Sequence, residues 1–169
     1  MADSNIYYAR HEHVVVLKFC GDIRYAAGNT IPLGALLQHL FEASDFSEFL
    51  IDLTATEGID STNLGLLAKV ARHMLERGGS KPVILSTNPD INTVLEAVGF
   101  DQVFQIVHDA HPTDLPLESV PEANGNEDNM TRLVLDAHKA LAEMNEKNKE
   151  TFKSVIEVLE RETGDGPAK

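Results

Sequence analysis

The chain has 169 residues, 43% of them hydrophobic, and a formal net charge of −13 at pH 7, a composition typical of a folded domain with an appendage. Because nucleic acids are bound through clustered Lys and Arg, this acidic balance argues against a nucleic-acid partner and favours a protein partner. A single cysteine excludes an internal disulfide, and we find neither a signal peptide nor an apolar stretch of about 18 residues, so we expect a cytoplasmic protein that does not enter a membrane.

Strand and helix patterns alternate through the first 110 residues. Strands are expected at residues 6–9, 13–19, 49–53, 82–86 and 103–107, and helices at residues 30–43, 64–77 and 89–98. The order β-β-α-β-α-β-α-β predicts right-handed βαβ crossovers. We therefore expect an α/β domain over residues 1–110, with a mixed, mainly parallel sheet whose first hairpin adds an antiparallel edge.

The rest of the chain changes in character. Residues 111–128 are rich in Pro and acidic residues and are predicted to be a linker. Residues 129–163 form an amphipathic pattern, interrupted at Asn145 and Asn148, and a helix of about 30 residues would be roughly 45 Å long. Two interpretations stay open: it folds back on its own domain or frays, or it docks on a partner or a second copy. Residues 164–169 are expected to be disordered.

The most informative segment is DLTATEGIDSTNLG, which follows the buried strand at residues 49–53. We interpret it as the end of that strand, a short turn and the beginning of a helix at Asp60-Ser61-Thr62-Asn63. All four side chains can accept hydrogen bonds from the free N–H groups of a first helical turn. The Ser61 hydroxyl is therefore either a cap or a site of chemistry.

This segment resembles the phosphorylation motif of the STAS domain, the fold of the bacterial anti-sigma factor antagonists. The resemblance extends to Gly21-Asp22-Ile23 and to residues 98–106, and it covers residues 5–110. One position departs from the family motif, because Asn63 stands where a glycine is usual. Asn tolerates an unusual backbone and is also ordinary in a first helical turn, so the acceptor hydroxyl is retained.

The resemblance implies an interaction switch without enzymatic activity or a cofactor. Unphosphorylated antagonists bind an anti-sigma factor that is also a serine kinase, phosphorylation ends that interaction, and a PP2C-type phosphatase restores it. Carried over, Ser61 is the phosphoacceptor and Thr62 the alternative acceptor. The implied partner surface consists of Asp22, Ile23, Arg24, Tyr25, Asp60, Thr62, Asn63 and Leu64. Self-association through the C-terminal helix is a further possible interaction.

The sequence suggests three other interpretations. A receiver domain would use Asp52 at the end of a strand, but the acidic pair and the late lysine that it needs are missing. An enzyme would need a triad or a metal site, and none of the seven histidines belongs to a known motif, so we interpret each as a surface or packing residue. A STAS scaffold or ligand sensor, in which Ser61 is only a cap, stays open.

Overall fold

The computed structural model describes residues 4–25, 28–109, 111 and 115–164. Its strands are β1 (Asn5–His11), β2 (Val14–Ile23), β3 (Glu48–Ile59), β4 (Val83–Leu85), β5 (Gln105–Val107) and β6 (Glu118–Ser119). Its helices are α1 (Thr30–Ala43), α2 (Ser61–Glu76), α3 (Pro89–Ala97), α4 (Glu127–Ala142) and α5 (Glu146–Thr163). The predicted α/β class and the order of elements through β5 are confirmed. Residues 165–169, most of the predicted disordered tail, lie outside the described residues.

One six-stranded sheet organises the domain, in the order β5-β4-β3-β2-β1-β6. Strands β2 to β5 pair in parallel, and β1 pairs antiparallel with β2, as the sequence predicted. The short β6 lies within the predicted linker and pairs with β1 through Tyr7 and Tyr8. Because an unpaired edge strand exposes backbone N–H and C=O groups, β6 protects part of the β1 edge.

The core lies between the sheet and the helices. It is built around fully buried aromatic and aliphatic side chains, including Phe19, Phe49, Leu53, Phe100 and Phe104, each at most 2% exposed. Burying side chains of this size contributes about 1.5–3 kcal/mol each. This core fixes the position of β2 and β3, which pass through its centre and end beside each other.

Strand β3 is longer than the sequence predicted. Residues 54–58, expected to be a turn, continue the strand to Ile59, and β2 likewise continues to Ile23. Two register shifts in β2 make this possible, and the second follows Gly21, which has a φ of 86° that glycine adopts readily. The ends of β2 and β3 therefore meet at the pair Ile23 and Ile59, directly before α2.

The C-terminal extension is a pair of helices and not one helix of about 30 residues. The first helix ends at Ala142, and Asn145 caps the second, because its side chain accepts the Asn148 N–H at 2.8 Å. The buried Asn148 amide then donates to the carbonyls of Leu141 and Val98, both at 2.9 Å, so it ties α5 to α4 and to the end of α3. We call α4 and α5 together the C-terminal hairpin.

The C-terminal hairpin folds back on its own domain, the first of the two interpretations that the sequence left open. Helix α4 packs against α2, and α5 packs against α4. Leu135, Ala137 and Leu141 of α4 are at most 1% exposed. Across the described residues, no helix is long and apolar enough to cross a bilayer.

Candidate functional site

The N-terminus of α2 is capped by Asp60. This residue has extended backbone angles (φ −89°, ψ 171°), and its Oδ1 accepts the backbone N–H of Asn63 at 3.0 Å and the Asn63 side-chain amide at 2.8 Å. Such caps stabilise a helix by about 0.5–2 kcal/mol. Because Asp60 takes this role, the Ser61 hydroxyl is not used as the cap.

Asp60 also joins α2 to the loop that follows β2. Its Oδ2 accepts the Tyr25 N–H at 2.6 Å, and its own N–H donates to the Ile23 carbonyl at 3.1 Å. At the beginning of this loop, the Arg24 guanidinium pairs at 2.6 Å with Asp22 of β2, and both side chains are partly exposed. The loop and the beginning of α2 are therefore joined directly, and their role as a partner surface stays a prediction.

Asn63 is an interior residue. Its side chain is fully buried and lies 3.1–3.3 Å from the Thr30 hydroxyl at the beginning of α1. The residue sits in the first turn of α2 and has no positive φ. The replacement of the usual glycine therefore causes no backbone strain, and the asparagine connects α2 with α1.

The residues of the implied partner surface divide into two groups. Ser61 and four of its neighbours are at least partly exposed, namely Asp22, Arg24, Tyr25 and Asp60. The other four are at most 6% exposed, namely Ile23, Thr62, Asn63 and Leu64. In this structure, therefore, the loop after β2 is the more exposed part of the site, and Ser61 is only partly exposed. The alternative acceptor, Thr62, is buried.

Ser61 also has a polar neighbour, His138, that was not predicted from the sequence. The Ser61 Oγ lies 2.9 Å from Nε2 of His138 on α4, and Nδ1 of the same ring lies 2.7 Å from the Val134 carbonyl. A carbonyl only accepts, so Nδ1 carries a proton, and in a neutral imidazole Nε2 then accepts from the Ser61 hydroxyl. The sequence offered one signal for this contact: His138 is a polar residue directly after Ala137, which belongs to the apolar stripe of α4.

Helix α4 lies very close to α2 one turn beyond Ser61. A Cβ added to Gly65 would stand 2.2 Å from the Ala137 carbonyl oxygen. At the far end, Arg72 pairs with Glu143 at 3.0 Å, with both side chains well exposed. Since Ser61, Gly65 and Arg72 recur at helical spacing, α4 covers one complete stripe of α2.

A cavity of about 700 Å³ lies between α1, α2 and α4. Its wall includes Phe41, Leu66, Lys69 and Asp136, but neither Ser61 nor His138. Burial lowers the pKa of the Lys69 ammonium, and the nearby Asp136 carboxylate partly opposes this effect. No group of three or more His, Cys, Asp or Glu within the described residues is arranged to hold a metal ion.

Comparisons with known proteins agree with this architecture. A family model described as STAS domain matches residues 5–112. Among solved structures, the anti-sigma factor antagonist SpoIIAA in its unphosphorylated form has the same fold, with 16% identity, a TM-score of 0.50 and coverage of 62% of this chain and 87% of SpoIIAA. Among curated protein sequences, none matches this chain.

Two further solved structures are similar over a comparable length. An anti-sigma factor antagonist from Mycobacterium paratuberculosis is 20% identical, with a TM-score of 0.49 over 63% of this chain and 85% of that chain. A putative anti-sigma factor antagonist from Thermotoga maritima is also 20% identical, with a TM-score of 0.48 over 59% of this chain and 82% of that one.

Proposed function

Because this chain belongs to the STAS domain family, we propose that it is an anti-sigma factor antagonist that acts as a phosphorylation-controlled interaction switch. The observation that carries the proposal is the position of Ser61. It is the first residue of α2, its hydroxyl is not used as the cap, and it adjoins the exposed loop that Asp60 ties to the helix. The SpoIIAA fold supports the same function.

In the proposed cycle, the unphosphorylated protein binds an anti-sigma factor that is also a serine kinase. The kinase transfers the γ-phosphoryl group of a nucleoside triphosphate to Ser61. The Oγ–phosphorus bond forms, the bond to the leaving diphosphate breaks, and the hydroxyl proton passes to the kinase. A PP2C-type phosphatase then hydrolyses the phosphoester and regenerates the serine.

Phosphorylation would add charge to this surface without unfolding the α/β domain. A phosphoserine adds about −1.5 to −2 charges and three acceptor oxygens. The N-terminus of α2 favours negative charge, so the domain itself tolerates the group. A partner packed on the same surface would meet added bulk beside the carboxylates of Asp60 and Asp22, and its affinity would fall.

A second candidate is a ligand-sensing STAS module in which Ser61 is not phosphorylated. The cavity of about 700 Å³ between the domain and α4 favours it, since that volume is typical of small-molecule sites. The receiver alternative loses support, because Asp52 is fully buried and accepts from the Thr54 N–H at 2.9 Å and its hydroxyl at 2.6 Å.

The remaining expectations stay proposals. We place the protein in the cytoplasm and assign it no enzymatic activity. Self-association through the C-terminal extension would use α5, where Val155 and Val158 are 42% and 48% exposed. Helix α4 is already engaged by α2.

The direct test is intact-mass spectrometry with site mapping on protein purified from its native cell, beside the Ser61→Ala variant. We expect one phosphate that maps to Ser61 and is absent from the variant. A protein that carries no phosphate under any growth condition would favour the ligand-sensing candidate. A phosphate on Thr62 would move the switch to the alternative acceptor.

A further inference from the structure

We propose that the C-terminal hairpin is an intramolecular gate on Ser61, so that docking of α4 and phosphorylation of Ser61 exclude each other. The inference rests on the proposed function for its biological meaning, but its physical basis lies in the contact between α2 and α4. Ser61 and Gly65 are one turn apart on α2, and the α4 residues that meet them, His138 and Ala137, are adjacent.

Little space is left around the Ser61 hydroxyl in the docked structure. The oxygen lies at hydrogen-bond distance, 2.9 Å, from His138 Nε2, and the histidine itself is only 4% exposed. The ring is held on its other sides by the Val134 carbonyl and by the edge-on ring of Phe152, whose centroid is 5.6 Å away. A phosphoryl group on that oxygen, in the docked rotamer, would occupy the volume of the imidazole.

Phosphorylation would also remove the hydrogen bond between Ser61 and His138. With Nδ1 donating to the Val134 carbonyl, Nε2 of a neutral His138 ring accepts the proton of the serine hydroxyl in the docked structure. The ester oxygen of a phosphoserine has no proton, so phosphorylation removes this donor from the contact. The modification therefore takes away the bond and adds bulk at the same position.

Helix α4 also packs directly against the backbone of α2 one turn from Ser61. The Ala137 carbonyl lies so close to Gly65 that even a methyl group there would clash with it. Because Gly65 is only one turn from Ser61, a displacement of α4 at Ser61 would also disturb this close contact. We infer that a phosphoserine pushes α4 away from α2 as a unit, together with α5.

The gate has two consequences. A kinase or a partner that needs the Ser61 face of α2 meets only the fraction of molecules in which the hairpin is undocked, and its apparent affinity falls by that fraction. Phosphorylation would in turn hold the hairpin open and expose its apolar face, which includes Leu135 and Leu141. The hairpin thus competes with external partners for one surface.

The test needs no kinase. Full-length protein with phosphoserine installed at position 61 during translation is compared with the unmodified chain by amide hydrogen exchange. We expect exchange across residues 127–142 and 146–163 to rise by about tenfold or more, while β2 and β3 remain protected and report an intact domain. The Ser61→Ala variant is the matched control, because it removes the hydroxyl without adding bulk, and its hairpin should stay protected within about threefold.

Unchanged exchange in the phosphoserine protein would overturn the gate, since the modified side chain would then have turned to solvent with α4 in place. Equal increases in the phosphoserine protein and in Ser61→Ala would also overturn it, because the lost hydrogen bond would suffice without any steric exclusion. Neither result depends on whether the cell phosphorylates Ser61, so failure of the gate and failure of the proposed function are separate outcomes.

Discussion

Helix α2 is covered on two sides, and the two covers differ in construction. Helical spacing places Leu67 and Val70 on the side opposite Ser61 and Gly65, so the first pair faces the body of the domain and the second faces α4. The domain side belongs to a sheet whose strands pair over long sequence distances. The α4 side is one contiguous helical segment that joins the domain through residues 111–126, where β6 is the only regular element described.

This difference indicates where the molecule can open. Loss of the domain side would disrupt the whole core, whereas α4 and α5 can leave as a unit without breaking any strand pair of β2 to β5. Local opening of this kind costs less free energy than global unfolding. We expect the C-terminal hairpin to be the less stable of the two covers, and the following variants test that comparison.

The largest effect should come from a matched pair of core truncations. Leu67 and Leu141 are both fully buried, the first in α2 and the second in α4. Each change to Ala should cost about 2–5 kcal/mol of local packing. Leu67→Ala should lower the free energy of global unfolding, while Leu141→Ala should mainly speed hydrogen exchange in α4 and α5. Equal effects of both variants on β3 exchange would contradict the comparison.

A wedge at the contact of α2 and α4 should come next. Gly65→Ala puts a methyl group against the Ala137 carbonyl, and overpacking of this kind costs about 1–3 kcal/mol. We expect faster hydrogen exchange of the α4 amides. The Ser61 hydroxyl should become accessible although Ser61 itself is unchanged. Gly79→Ala is the matched control. Its new Cβ would meet the flexible end of the Met74 side chain and would lie at ordinary van der Waals distances from the nearby backbone atoms. A protected hairpin in Gly65→Ala would show that the contact yields without opening.

The anchor of the hairpin gives a smaller, more local effect. Asn148→Ala removes two hydrogen bonds, those from its side-chain amide to the carbonyls of Val98 and Leu141, and each contributes about 0.5–1.5 kcal/mol. Faster exchange should be confined to α5 and the end of α4. Lys149→Ala is the neighbouring control, because its ion pair with Glu146 is exposed and contributes at most about 1 kcal/mol. Similar exchange rates in the two variants would show that Asn148 does not anchor the hairpin.

The smallest structural effect is expected at Ser61. Ser61→Ala loses the hydrogen bond to His138, about 0.5–1.5 kcal/mol, while the Asp60 cap stays in place. Thermal unfolding should change little, and the variant should stay able to bind its kinase partner. Ser61→Asp should weaken that binding because it adds negative charge to the same surface. An unchanged dissociation constant for Ser61→Asp would count against the switch.

The sequence predicted the domain well because its periodicity and capping residues are local signals. The apolar runs of β2 and β3 and the polar cluster at Asp60 each identify an element without knowledge of the rest. The predicted length of β3 was wrong. The register shift after Gly21, which lets β2 and β3 continue side by side, depends on how the two strands pair and cannot be predicted from either strand alone.

The site was only partly predictable, for a similar reason. Ser61 and Asp60 stand together in one motif, so the helix N-terminus could be located from sequence. His138 is 77 residues away, and its contact with Ser61 depends on where the hairpin docks. In the sequence, Asn145 and Asn148 only interrupt the amphipathic pattern. Their roles as helix cap and anchor become visible only in the folded structure.

We propose that Ser61 is the phosphoacceptor of a switch that the C-terminal hairpin controls. The most direct measurement is a time course of phosphate incorporation into full-length protein, Gly65→Ala and Ser61→Ala, incubated with ATP and an extract of the native cell and analysed by phosphopeptide mapping. We expect phosphate on Ser61, faster incorporation in Gly65→Ala and none at that position in Ser61→Ala. A Ser61 peptide that stays unmodified in both the unaltered chain and Gly65→Ala, in extracts from every growth condition, would contradict it.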